Sequence, residues 1–245
     1  MKAGPANYLT AGAEAHVDSE FKENDQLYWD GYTSLSEINN FKALIAKNKY
    51  EVGKMEYVAA DAVYTTAVSL WGGTPGVSWE DARASTSLDN RYFMAALGSV
   101  AAHGTHILEH VFLTDEVSAN GLFAVQMYLR GKPWVLTVDD KFWAEYDAYH
   151  LHLKYATIYR DHIWVPLLEK AWAKLLGSYS AVPGRHAVTA LHALTGAPVF
   201  NILTSTHATG ALLFADVEAA LAKDYLITAK TKSTAASLAS ALVNS

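Results

Sequence analysis

Histidine is the enriched side chain with chemical reach in this sequence, and cysteine is wholly missing from it. Ten histidines occur among 245 residues, against zero cysteines. Three of the ten fall in His103-Gly-Thr-His-Ile-Leu-Glu-His110. His106 and His110 are four apart, so on a helix they share a face, with Glu109 beside them. Two imidazoles at that spacing can grip zinc or copper. They are the candidate metal ligands, but a closed site needs a third ligand, and the sequence nominates none. The plainer expectation is a polar surface on a short helix. His150 and His152 alternate as on an extended segment and carry no assigned role. Asp139-Asp140 is an adjacent acidic pair at a strand end. Neighbours on a strand point to opposite faces, so the expectation there is a solvated strand end rather than a two-carboxylate centre.

Zero cysteine excludes a disulfide scaffold, a thiolate zinc site, an iron–sulfur cluster and any thiol nucleophile. No phosphate-binding glycine loop, dinucleotide fingerprint, nucleophile elbow, His-Glu-x-x-His pair or EF-hand loop occurs, and no cofactor is implied. Apolar residues make up 51% of the chain and charged ones 18%, enough for a sizeable core. A net charge of −6 offers no general grip on nucleic acid or anionic lipid. The longest apolar run, Phe93 to Ala102, is too short to span a bilayer. The start from Met1 lacks the pattern of a secretory or transit leader. The expectation is a soluble, intracellular chain.

The elements that would hold these residues follow from periodicity. Residues 1–35, rich in Gly, Pro, Asn and Asp, read as an extended N-terminal arm. Helical spacing dominates from about Leu35 to Leu70, up to the loop Trp71-Gly-Gly-Thr-Pro-Gly76. A helix is expected at about 91–103, with Phe93, Ala96, Leu97 and Val100 on one face. A short helix over Thr105–Phe112 follows it. Alternation between 122 and 138, broken at Arg130-Gly131-Lys132, predicts a β-hairpin. A further helix is expected to be capped by Asp161, with Pro166 in its first turns and Gly177 ending it. Its Trp164, Leu167, Leu168, Ala171, Trp172 and Leu175 should face inward, and Glu169, Lys170 and Lys174 water. Leu213, Phe214, Val217, Ala220 and Leu221 predict an amphipathic helix, Tyr225–Ala229 a buried strand, and 230–245 a weakly specified tail. The fold class is α+β, mainly helical.

Three separated blocks resemble the protease core of the calpain family. Leu88-Asp-Asn-Arg-Tyr-Phe-Met-Ala-Ala-Leu-Gly-Ser-Val-Ala101 is similar to the family's Leu-Gly-Asp-Cys-Trp-Phe-Leu-Ala-Ala-Leu. Ala119-Asn-Gly-Leu-Phe-Ala-Val with Gly131-Lys-Pro-Trp-Val-Leu-Thr-Val-Asp-Asp140 resembles its Gly-x-Tyr-x-Val hairpin and Val-Asp-Asp return. Ile163-Trp-Val-Pro-Leu-Leu-Glu-Lys-Ala-Trp-Ala-Lys-Leu-Leu-Gly-Ser-Tyr179, with Leu194-Thr-Gly196, resembles its long Leu-Leu-Glu-Lys-Ala block. Weaker likeness at Val17–Phe21 and Trp79–Arg83 extends the match over most of the chain. The resemblance implies a papain-like first lobe, with residues 36–229 as a calpain-like half-domain that includes the beginning of lobe 2.

Carried over residue by residue, the resemblance implies a loss of catalysis. The nucleophile falls on Arg91, the following Trp on Tyr92, and the oxyanion-hole Gln on Ser85. The catalytic His and Asn belong to a half-domain beyond the segment matched to Tyr225–Ala229, and an acidic calcium ligand would fall on Ser180. A guanidinium cannot exchange protons near neutrality, and a cation opposes the dipole at a helix N-terminus, with Asp89 the nearest compensation. Substitute hydroxyls at Ser85, Thr86 or Ser87 have no matched base. The expectation is a non-catalytic, calpain-like pseudo-protease serving as a structural or binding subunit of a multi-subunit protein assembly. Seven Trp and fourteen Tyr, types enriched at interfaces, accord with that. The alternatives are a regulatory partner of an active calpain-type protease, or a His-based metal module. The resemblance implies a cytoplasmic, cytoskeletal or flagellar setting, with a mitochondrial complex as the alternative.

Overall fold

The structure, a computed structural model, describes residues 18, 55–64, 68–72, 76–85, 87–114, 121–146, 151–159 and 161–230. The N-terminal arm, apart from Asp18, and the tail beyond Lys230 lie outside them, as do Leu35, Ile38, Phe41, Leu44, Ile45, Thr86 and His150. The elements run β1 (Met55–Ala59), α1 (Arg91–Ala102), α2 (His106–Val111), β2 (Leu122–Leu129) and β3 (Lys132–Asp139). They continue with β4 (Lys141–Tyr146), β5 (Leu151–Leu153), α3 (Trp164–Leu176), α4 (Ala187–Thr195) and α5 (Gly210–Leu221). The fold is α+β, with the central helix and the hairpin where the sequence placed them.

The hairpin β2–β3 turns through Arg130 and Gly131, both at positive φ (51° and 74°), so Leu129 pairs with Lys132. A two-residue turn of that hand matches the right-handed twist of the strands. A second, three-stranded sheet has the order β1-β4-β5, antiparallel throughout. Its β1 lies inside the stretch for which helical spacing was expected. The run Met55-Glu-Tyr-Val-Ala59 pairs along its length with Lys141–Glu145, and that long-range partner overrides the local period.

Helices α1 and α3 form the centre of the core. Phe93 of α1 stacks on Trp172 of α3 with ring centroids 5.2 Å apart, and both are buried. Trp172 Nε1 donates to Tyr92 Oη (2.8 Å), which donates onward to the Val182 carbonyl (2.8 Å). One aromatic pair and one hydrogen-bonded relay thus lock the two helices.

Two expectations about α3 fail, and one about the strand end at Asp139. Asp161 does not cap it. That residue sits at φ 64°, its carbonyl accepts from Ser69, and the helix starts at Trp164. Glu169 and Lys170 do not face water, being 1% and 0% exposed, and the Lys174 side chain is 8% exposed. Nor is Asp139 a solvated strand end, at 4% exposure. Helix α3 is surrounded on all sides, and each of its charges meets a partner from a distant element. Gly177 ends it as expected, at φ 101°.

The C-terminal part departs in the opposite sense. Helix α5 forms, but not one of its residues is buried. Tyr225–Ala229 is not a strand; among the described residues it has no sheet partner, and Tyr225 is exposed.

Candidate functional site

The end of α1 that carries Arg91 is held from behind. Asn90 precedes the helix, and its carbonyl accepts from Phe93 N (2.7 Å) and Met94 N (3.1 Å), which starts the turn. Its side chain does not cap the helix. It is fully buried and points back to α3, where Nδ2 donates to Glu169 Oε1. The other oxygen of Glu169 accepts from Ala156 N at 2.8 Å. Burial pushes the Glu169 carboxyl up to about 7, against the opposing pull of these two hydrogen bonds. Asn90 Oδ1 is buried without a partner.

Arg91 is the first residue of α1, its side chain is 83% exposed, and Nη2 lies 3.3 Å from Asp89 Oδ1. Such a pair in open solvent adds little to stability. The Ser85 hydroxyl is already engaged: Oγ donates to the Lys154 carbonyl (2.8 Å) and accepts from Ser87 N (2.9 Å). An open groove of about 640 Å³ runs from Arg91 along the solvent side of α1. Its lining includes Trp79, Ala82, Met94, Ala95 and Gly98, and among the described residues Arg91 is its one ionisable group. Among the described residues that line it, none is a carboxylate, imidazole, hydroxyl or thiol.

Histidine does not complete a site elsewhere. His106 and His110 lie exposed on α2, and His110 Nδ1 donates to the His106 carbonyl at 2.7 Å. His103 instead pairs with Asp224 (3.1 Å). Among the described residues no group of three or more His, Cys, Asp or Glu could hold a metal ion. His152 lies on β5, 3.6 Å from Glu145. Sequence reasoning missed one buried dyad, His162 Nδ1 with Asp81 Oδ2 at 3.0 Å. It resembles a base and its orienting carboxylate, yet it is sealed. Trp164 Nε1 donates to the same oxygen (3.0 Å), and Gly72 lies so close to His162 Nε2 that a Cβ there would overlap the ring. The dyad ties Trp79–Asp81 to α3.

The second buried cluster lies at the junction of both sheets with α3. Lys170 Nζ donates to Asp139 Oδ1 (2.5 Å), Tyr57 Oη (2.6 Å) and the Lys141 carbonyl (2.7 Å). Tyr57 Oη and Lys141 N both donate to Asp139 Oδ1 at 2.9 Å. Burial alone would raise the Asp139 carboxyl, but the Lys170 charge and these hydrogen bonds hold it below the ordinary carboxylate value. Asp140 goes the other way, raised by burial and by its neighbour Asp139. Lys174 pairs with Asp18 (2.7 and 2.8 Å) and donates to the Thr137 carbonyl (2.7 Å). Both lysines fasten strands to α3.

A buried helix beginning at Arg91, a hairpin and a third helix bearing Glu-Lys-Ala follow one another along the chain. The sequence model of the calpain family cysteine proteases matches residues 65–245, well over half of the chain. The chain belongs to the calpain family.

Among calpain relatives, the calpain-type cysteine protease ADL1 of Oryza sativa subsp. japonica is 33% identical over 89 residues, 36% of this chain and 4% of its own length. Human calpain-12 is 30% identical over 144 residues, 58% of this chain and 19% of that protein. Calpain-7 of Sus scrofa is 33% identical over 82 residues, 34% of this chain and 10% of that protein. The chain thus spans a small part of the calpains it matches. Unlike a calpain-type cysteine protease, it contains no cysteine at any of its 245 positions.

Proposed function

We propose that this calpain-family chain is non-catalytic and acts by binding, as a structural or binding subunit of a larger protein assembly. One observation carries the reading. The buried helix of a cysteine-protease core begins here on an exposed arginine, in a chain with no thiol. The thiolate route needs a nucleophile whose pKa is depressed at that helix end. A guanidinium can neither attack a carbonyl nor accept a proton at neutral pH.

The scaffold behind the site is kept while the site is emptied. Asn90, Glu169, Lys170 and Asp139 are all buried and bonded, so the fold is held independently of the lost chemistry. Exposed large apolar side chains at Phe200, Ile202, Leu203 and Phe214 supply material for protein contacts. The test is recovery of the tagged full chain from native extract after mild cross-linking, together with peptide hydrolysis by the recovered material. Stoichiometric protein partners with no hydrolysis attributable to this chain are expected. Hydrolysis by the purified chain, or recovery free of any partner or second copy, overturns the reading.

A further inference from the structure

Helix α2 is short, and it is firmly seated. Leu108 and Val111 are buried and fix its inner face. Glu109 N donates to the Thr105 carbonyl (2.9 Å) and Phe112 N to the Leu108 carbonyl (2.8 Å). The outer face therefore carries His106 and His110 one turn apart, with about 5–6 Å between their Cβ atoms. Both imidazoles line one hollow of about 200 Å³, bounded by α2, β2 and α4. Its other walls are Ile107, Gln126, Tyr128, Leu194 and Thr195. Gly196, at φ 68°, brings the end of α4 against Tyr128, so close that a Cβ there would lie 2.8 Å from the ring. That wall is fixed as well.

The tautomer of His110 is settled by its neighbour. A carbonyl oxygen can only accept, so the 2.7 Å contact between His110 Nδ1 and the His106 carbonyl places a proton on Nδ1. In the neutral ring the lone pair then lies on Nε2. A metal-ligating histidine is held in this way, its other ring nitrogen donating to a carbonyl or a carboxylate. The His106 ring lies 5.7 Å from that of His103, and among the described residues no group holds either of its nitrogens by a hydrogen bond. His103 is already engaged by Asp224. On the facing strand Gln126 Nε2 donates to Tyr128 Oη (3.1 Å). That bond leaves an amide oxygen and a phenol proton to serve water held in the hollow.

We infer that His106 and His110 together bind a divalent transition ion from the copper–zinc end of the first row, through two imidazole nitrogens. Imidazole suits such ions, whereas calcium and magnesium take oxygen ligands. Among the described residues no third His, Cys, Asp or Glu joins the pair. The remaining positions are therefore open to water, and the site is exchangeable rather than a closed structural centre. Affinity at a nitrogen site of this kind peaks at copper(II). The inference goes beyond the assembly reading and takes nothing from it.

The test is calorimetric titration of the purified full chain with copper(II), and separately with zinc(II). One copper ion per chain should bind with a dissociation constant below about 100 µM, more tightly than zinc. The electron paramagnetic resonance spectrum of the copper form should carry the hyperfine pattern of two nitrogen ligands. His106→Ala and His110→Ala should each weaken binding by about tenfold or more, since even an outer-shell loss costs about 10–100-fold. Both side chains are exposed, so the melting curve of the metal-free protein should not move. His186→Ala, at the other end of α4, should leave binding unchanged. No copper binding at about 100 µM, or a spectrum with fewer than two nitrogens, overturns the site. Binding that survives both His106→Ala and His110→Ala overturns it, as does an equal loss in His186→Ala, which would mark adventitious capture by surface imidazoles.

Discussion

Helices α3 and α5 are alike in sequence and opposite in the molecule. Each has an apolar stripe at helical spacing with charges between, and each reads as a surface helix with one wet face. In α3 Glu169 and Lys170 are buried with the apolar residues around them; in α5 no residue is buried, and Leu212, Phe214 and Leu221 are exposed. Hydropathy tells how a helix can be turned, but not what stands beside it. Helix α3 has both sheets, α1 and Asp18 as neighbours, and each supplies a counter-group. Helix α5 has none of these, and its charged residues pair with groups of its own segment or stay in water.

The sharpest way to break this contrast is to remove a charge from α3. Lys170→Met leaves Asp139 buried without its cation, and should cost about 3–5 kcal/mol in urea denaturation. A loss below about 1 kcal/mol would show that the cluster is wet. Leu168→Ala, on the same helix, should cost about 2–5 kcal/mol, whereas Phe214→Ala on α5 should stay within about 0.5 kcal/mol.

A somewhat smaller effect is expected at Glu169, and it carries a pH signature. Its folded-state value of about 7 lies above that of an unfolded glutamate, so the native state holds the proton more tightly. Stability from this group is therefore fully present below about pH 4.5 and is lost as pH rises through 7, by roughly 2–3 kcal/mol. With the carboxyl protonated and the Asn90 amide turned over, the hydroxyl could donate to the now orphaned Oδ1. Glu169→Gln should abolish that slope, since an amide can serve Asn90 Oδ1 and Ala156 N at every pH. Equal slopes for the two proteins, from unfolding curves at pH 5 to 8, would show the carboxyl to be already solvated. The smallest effect belongs to Arg91→Ala, within about 0.5 kcal/mol, because that side chain is in solvent.

What could be read in advance follows the same division. The start of α1 at Arg91, the Arg130-Gly131 turn and the Gly177 stop are local signals, and each is written in its own few residues. The partners of Glu169 and Lys170 are not local: Asn90 is 79 residues away, Tyr57 113 and Asp139 31. A signal was nonetheless available, since Ile163 to Ala173 is apolar on every side except Glu169 and Lys170, and such a helix is normally buried. Strand β1 could not be told from a helix by periodicity because its identity lies in β4. Of the candidate site, the lack of any thiol is legible in residue types alone, whereas the exposure of Arg91 and the burial of Asn90 behind it needed the fold.

The most direct test of the central claim is hydrolysis of a fluorogenic peptide substrate by the purified full chain, with and without calcium, at enzyme concentrations high enough to register single turnovers. No product above the buffer background is expected, and the same result for Arg91→Cys. Cleavage by the wild-type chain that survives further purification would contradict the account.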